Sequence, residues 1–195
     1  MIRLDVLAVG SLRRDGEGKI LDAHSSSVLI RSGESTVVAD TGTEYMRPAI
    51  KTSFRQIGIF PRDVDTVVLT HSHSDHTGNI GMFEGADILI HEDECMNVPG
   101  SRPVDLDREL APGVRAVHTP GHTSGSVSIF IEADKRYVIA GDAVPTRSNC
   151  EKMLPPAVNI DPDLALESIK RITKYADVII PGHGPPFPVK GDLND

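Results

Sequence analysis

The chain has 195 residues, 39% apolar and 25% charged, which is the composition of an ordinary globular protein and a length for one domain spanning residues 1–195. Its formal net charge of −8 argues against general attraction to nucleic acid or anionic lipid, leaving only local basic patches to consider. Two cysteines, Cys95 and Cys150, lack CxxC spacing, so neither a disulfide framework nor a cysteine zinc site is expected.

Ile2, Leu4, Val6, Leu7 and Val9 read as a first strand with no leader segment before it. No apolar run approaches the ~20 residues of a membrane span, so a soluble cytoplasmic protein with no membrane partner is expected. Gly16 and Gly18 in the charged stretch 12–22 mark a hairpin tip. Val28-Leu29-Ile30 and Thr36-Val37-Val38-Ala39 follow as strands, the second ending at Asp40. Apolar residues at 46, 49, 50, 54 and 57 have helical spacing, and Gly58 can end that helix. Val67-Val68-Leu69 is a short buried strand, and Ala86 to Ile90 is another, ending at His91. Residues 92–112 are charged and contain prolines 99, 103 and 112, so loops or an edge hairpin are expected there. Val114 to His118, Val127 to Ile131 and Tyr137 to Ala140 are further strands. Residues 144–160 read as a proline-rich loop. Asp161-Pro162 then opens a helix, an N-cap followed by proline at the first position, with the stripe Ala165, Ile169, Ile172 and Ala176. Val178 to Ile180 is the last strand and runs into Pro181-Gly182-His183.

His71-Ser72-His73-Ser74-Asp75-His76 stands directly after the Val67–Leu69 strand. In sheets flanked by helices, ligands bind beyond the carboxyl ends of strands. His71 and His73 are two apart and point to one side of an extended segment. Asp75 and His76 follow at the turn and can face a second ion. Imidazole and carboxylate are the usual ligands of catalytic zinc. The bland alternative is a solvated histidine-rich loop, which the spacing disfavours. His122, Asp142 and His183 each stand just past a β-rich run, beside a glycine that lets the backbone come close to a ligand. These placements fit ligands converging on one end of a sheet system. Asp40 has two readings: a turn or cap residue at a strand end, or a carboxylate that orients a ligating histidine. His24 and His91 read as surface or core residues. His118 reads as structural, or as a residue lining the substrate cleft.

The pattern His-x-His-x-Asp-His, with His122, Asp142 and His183 in order behind it, resembles the signature of the metallo-β-lactamase superfamily. His73-Ser74-Asp75-His76-Thr77-Gly78-Asn79 and the run from Val178 to Phe187 are similar to the metallo-β-lactamase domain-containing protein 1 subgroup. The resemblance implies an α/β (α+β) fold, a four-layer αββα sandwich of two mixed β-sheets with outer helices. It implies His71, His73 and His122 on one ion, Asp75, His76 and His183 on the other, and Asp142 bridging both. The ions would be two zinc ions, with iron or manganese as alternatives, and Asp75 would align the activated hydroxide. It also favours the orienting role for Asp40. Aspartate at 142, where cysteine would point to β-lactamases proper, argues against antibiotic hydrolysis as the main role. The expected activity is hydrolysis of an ester, thioester or lactone bond in a small-molecule substrate. A zinc phosphodiesterase or ribonuclease acting on RNA is an alternative, with Arg102, Arg108, Arg115, Arg147 and Lys152 as cations to hold phosphate. A mononuclear iron persulfide dioxygenase-like enzyme is another. Substrate choice is expected to lie in loops 92–112 and 144–160. Oligomeric state is open, a homo-oligomer included.

Overall fold

Strand alternation builds four layers. The computed structural model describes residues 1–94 and 96–189. In chain order, β1 (Arg3–Ala8) is followed by the hairpin β2 (Ser11–Arg14) and β3 (Ile20–His24), then β4 (Ser27–Ser32) and β5 (Ser35–Ala39). Helix α1 (Arg47–Ile57) leads to β6 (Thr66–Val68), the short helical turn α2 (Ser74–Thr77), and β7 (Asp87–His91). Next come β8 (Arg102–Val104), β9 (Glu109–Ala111), β10 (Val114–His118), β11 (Val127–Glu132) and β12 (Arg136–Gly141). Helices α3 (Arg147–Lys152) and α4 (Pro162–Tyr175) precede β13 (Val178–Pro181) and β14 (Phe187–Pro188).

One six-stranded sheet has the order β1-β4-β5-β6-β7-β8, and the other has the order β14-β13-β12-β11-β10-β9. The first is antiparallel over β1, β4 and β5 and parallel from β5 to β8. The second is antiparallel except for the parallel pair β12 and β13. Successive side chains point to opposite faces of a strand. Val28 and Ile30 of β4 and Val37 and Ala39 of β5 therefore meet Val114, Ala116, Ile129 and Ile139 of the second sheet in one buried core. Leu29 and Val38, one residue out of phase, pack instead with Ile50 and Phe54 of α1. Val117, Val138 and Ala140 likewise face Ile169 and Ile172 of α4. The result is helix, sheet, sheet, helix, as the sequence led us to expect. Among the described residues, no helix is long and apolar enough to cross a membrane.

Two stretches differ from expectation. Residues 92–112 do not form a hairpin: β8 adds to the edge of one sheet beside β7, and β9 to the edge of the other beside β10. Pro103 fits an edge strand, where one missing N–H costs no ladder bond. Within 144–160, six residues form α3, opened by Thr146, whose backbone N–H donates to Asn149 Oδ1 at 3.2 Å. A helix that short shows no periodicity to read.

The N-cap of α4 forms as expected. Asp161 Oδ1 accepts from the N–H of Asp163 at 2.9 Å and of Leu164 at 3.0 Å. Asp161→Ala is expected to cost about 1 kcal/mol, read as a lower urea midpoint at unchanged slope.

Candidate metal centre

Every chemical side chain of the centre stands where a strand stops. Asp40 follows β5, the segment His71–His76 follows β6, His122 lies between β10 and β11, Asp142 follows β12, and His183 follows β13. Two of the underlying pairings, β5 with β6 and β12 with β13, are parallel, so these four strands direct their carboxyl ends to one edge of the sandwich. Close backbone approach makes this possible. A Cβ on Gly182 would lie 2.2 Å from Asp142 Oδ1, so glycine is required beside that carboxylate.

The seven residues come together in two clusters. His71 Nε2 lies 2.9 Å from His73 Nδ1, and His122 Nε2 lies 3.2 Å and 3.0 Å from those two atoms. In the second cluster, Asp75 Oδ2 is 3.8 Å from His76 Nε2 and 3.6 Å from His183 Nε2. Asp142 faces both: Oδ1 is 3.4 Å from His76 Nε2 and 3.1 Å from His183 Nε2, while Oδ2 is 3.6 Å from His122 Nε2.

The outer nitrogens show why the inner ones converge. His122 Nδ1 donates to the Val158 carbonyl at 2.7 Å, and His183 Nδ1 to the His24 carbonyl at 2.9 Å. His76 Nδ1 donates to Asp40 Oδ2 at 2.7 Å. Thr70 Oγ1 gives its hydrogen to Asp40 Oδ2 at 2.8 Å and so accepts from His71 Nδ1 at 3.1 Å. Each of these four rings therefore turns Nε2 inward. That is the arrangement of metal-ligating histidines, whose other N–H is held by a carbonyl, carboxylate or hydroxyl. Two inward atoms, His76 Nε2 and Asp142 Oδ1, are buried without a hydrogen-bond partner. Such groups are costly unless something pairs with them. Nitrogens on a tetrahedral zinc at about 2.0–2.1 Å stand roughly 3.3 Å apart, close to the spacing seen. The donor set fits a divalent metal.

A family model described as the metallo-beta-lactamase superfamily matches residues 21–89 and 97–183. The chain belongs to the metallo-β-lactamase superfamily. It is thereby a metal-dependent hydrolase. Metallo-beta-lactamase domain-containing protein 1 of Xenopus laevis is 36% identical over 185 residues, 90% of this chain and 77% of that one. The N-acyl homoserine lactonase AiiA of Bacillus thuringiensis subsp. kurstaki is 33% identical over 149 residues, 66% of this chain and 59% of that one. A crystal structure of an AiiA mutant from B. thuringiensis, with N-decanoyl-L-homoserine bound at the active site, has a TM-score of 0.73 at 25% identity. It covers 93% of this chain and 92% of that one.

In this superfamily member the electrostatics differ between the clusters. Burial, reinforced by His76, pushes His71 well below the usual imidazole value, and burial with His122 pushes His73 down. Burial alone would lower His76 too, but Asp40 and Asp142 hold it well above the usual value. His183 is likewise raised against burial by its hydrogen bond to Asp142. Asp142 lies well below the usual carboxylate range, because His76 and His183 outweigh its burial. The two clusters thus differ: burial and neighbouring imidazoles hold His71 and His73 down, whereas carboxylates hold His76 and His183 up.

Asp40 sits at φ 55°, a strained angle for a non-glycine residue, with both oxygens engaged. It accepts from Thr70 N at 2.7 Å as well as from Thr70 Oγ1 and His76. The structure does not bring His118 to the cleft, so of its two readings the substrate-cleft one is corrected and the structural one holds. Its Nε2 donates to the Ser124 carbonyl at 2.7 Å and its ring stacks on His91 at 4.3 Å. Both its ring face and its donor are taken up outside the cavity.

That cavity, about 130 Å³, is lined by His73, Asp75, His122, Asp142 and His183, together with Leu12, Arg14, Ile20 and Ala23 of the β2–β3 hairpin and residues 156–158. A groove of about 650 Å³ lies on the other side of His73 and Asp75, against Met96, Asn97 and Val98. Loops 92–112 and 144–160 thus both reach the site's surroundings, but the hairpin was not foreseen there. Nor were the carbonyls of His24 and Val158, since a main-chain acceptor leaves no mark on the residue type.

Proposed function

We propose that the protein is a dinuclear zinc hydrolase of an ester, thioester or lactone bond in a small-molecule substrate. His71, His73 and His122 would hold one ion, Asp75, His76 and His183 the other, and Asp142 would reach both. Iron or manganese could use the same donors. The observation that carries this reading is Asp142, with one oxygen toward His122 and the other toward His76 and His183. A one-metal site needs no second complete cluster.

When bound, such ions lower the pKa of water from 15.7 to about 7 and polarise a scissile carbonyl. The remaining work falls to the chain. Asp75 has the most exposed of the three carboxylates, with 20% side-chain exposure against 11% for Asp142 and 2% for Asp40. It lines the cavity, where it can align the attacking water and take its proton. The β2–β3 hairpin and residues 156–158 line the cavity beside it, where a substrate would meet them. Asp40 fixes the His76 ring; Asp40→Asn is expected to lower metal affinity or activity 10–100-fold, read by chelator competition and kcat/KM.

The likeness to a lactonase supports carbonyl over phosphoryl substrates. Arg102 pairs with Asp87, Arg115 with Asp107 at 3.3 Å, and Arg147 with Glu151 at 2.6 Å. Neither these nor Arg108 or Lys152 lines the cavity, whose lining cation is Arg14 of the hairpin. The test is metal analysis plus a substrate panel. We expect two equivalents of metal and turnover of acyl lactones or thioesters well above that of bis-p-nitrophenyl phosphate. Preferred phosphodiester cleavage, or a single bound iron with no hydrolysis, would overturn the proposal.

A further inference from the structure

Outside the proposed ligands, one side chain touches both loops that carry the three-histidine cluster. Glu94 lies in the turn after β7, its N–H donating to the His91 carbonyl at 3.1 Å. Its Oε2 accepts from the backbone N–H of Ser72 at 2.9 Å and from the Ser72 hydroxyl. Ser72 is the residue between His71 and His73. Glu94 Oε1 accepts from the hydroxyl of Thr123, the residue after His122. Both contacts are distant in sequence, by 22 and 29 residues.

A carboxylate only accepts, so these bonds set the direction of the whole relay. Thr123 gives its hydroxyl hydrogen to Glu94 and takes one from Ser126 Oγ at 2.6 Å; Ser126 Oγ in turn accepts the Thr123 N–H at 3.1 Å. Glu94 also packs tightly against this turn, since a Cβ on Gly125 would fall 2.7 Å from Glu94 N and 2.9 Å from its Cγ. The two loops belong to different sheets: one leaves β6, the other joins β10 to β11. The second cluster is held differently, by Asp40 on His76 and the His24 carbonyl on His183.

We propose that Glu94 is a positioning residue for one ion only: it ties the His71–His73 loop to the His122 loop and so fixes the separation of their three imidazole nitrogens. This rests on the dinuclear reading above.

The test is competitive chelator titration of the full chain with zinc and with cobalt, alongside circular dichroism. The wild type is expected to bind two equivalents. In Glu94→Ala one equivalent should weaken 10–100-fold and the other hold its affinity, with a changed visible spectrum for the weakened cobalt ion. Glu94→Gln should recover most of the loss, because its amide oxygen can accept from Ser72 while its NH₂ faces Thr123 Oγ1. If Glu94→Ala does not fold, Thr123→Val, which removes the Oε1 link together with the Ser126 hydroxyl bond inside the same turn but leaves the Ser72 bonds, carries the same expectation of a single weakened ion. Wild-type affinities in the variant tested, or equal weakening of both ions, would sink the role of Glu94 alone. A folded wild type that takes up no metal would sink this proposal and the metal reading together.

Discussion

Asp75→Ala is expected to cut turnover by about 10²–10⁴-fold while the sandwich stays folded. The asymmetry follows from where Asp75 stands. It lies in the four-residue turn α2 and keeps 20% of its side chain exposed, so its loss leaves no large void. Its Oδ2 faces His183 Nε2 at 3.6 Å and His76 Nε2 at 3.8 Å, so its removal strips one acceptor from the second cluster. The same oxygens line the cavity, so proton transfer is lost along with alignment. His122→Ala should be comparably damaging through the other ion, since three nitrogens within 3.2 Å become two. Both variants need metal content measured beside kcat, and a thermal melt to show the fold intact. Asp75→Ala protein that carries its full metal and turns over at the wild-type rate would remove Asp75 from the chemistry. His122→Ala alone losing one equivalent would still support the ligand set.

Much of this site was legible because its residues belong to rare types at strand ends. His71, His73, Asp75 and His76 fall within six positions, and His122, Asp142 and His183 each follow an apolar run. The layers were legible for a related reason: Val28, Leu29 and Ile30 form an apolar run that reads as a strand, and in the structure its alternate residues are buried in two different core layers. What supports the ligands was not legible. Glu94 sits among Glu92 and Asp93 and looks like one more solvated acid, yet it accepts from two distant loops. His118 precedes the proposed ligand His122 by four residues and has the same chemistry, but it is engaged with Ser124 and His91. The short elements β8, β9 and α3 exist through their neighbours, and three to six residues hold too little periodicity to reveal them.

The link between helix packing and the metal centre can be broken at one methyl group. Gly121, directly before His122, adopts φ +126°, and a Cβ there would meet Ala165 N at 2.2 Å and Ala165 Cα at 2.4 Å. Ala165 cannot yield. It is buried on α4, and its N–H is bound to the Asp161 carbonyl at 3.0 Å in the first turn. Nor can the loop move alone, because the Gly121 carbonyl accepts from Ile160 N at 2.8 Å and Asp161 N at 3.2 Å. The adjoining Val158 carbonyl is the acceptor that orients the His122 ring. Strain at that φ and overpacking each cost about 1–3 kcal/mol, so Gly121→Ala is expected to destabilise by about 2–6 kcal/mol. For a chain of this size that corresponds to a Tm lower by about 4–24 °C. On the dinuclear proposal, whatever folds should also bind metal more weakly at the three-histidine cluster, since relief of the clash displaces His122 from His71 and His73. Gly16→Ala is the matched control: nothing lies within 4 Å of a Cβ there, and its Tm should stay near the wild type. An unchanged Tm and two wild-type metal affinities in Gly121→Ala would show that α4 does not set the position of His122.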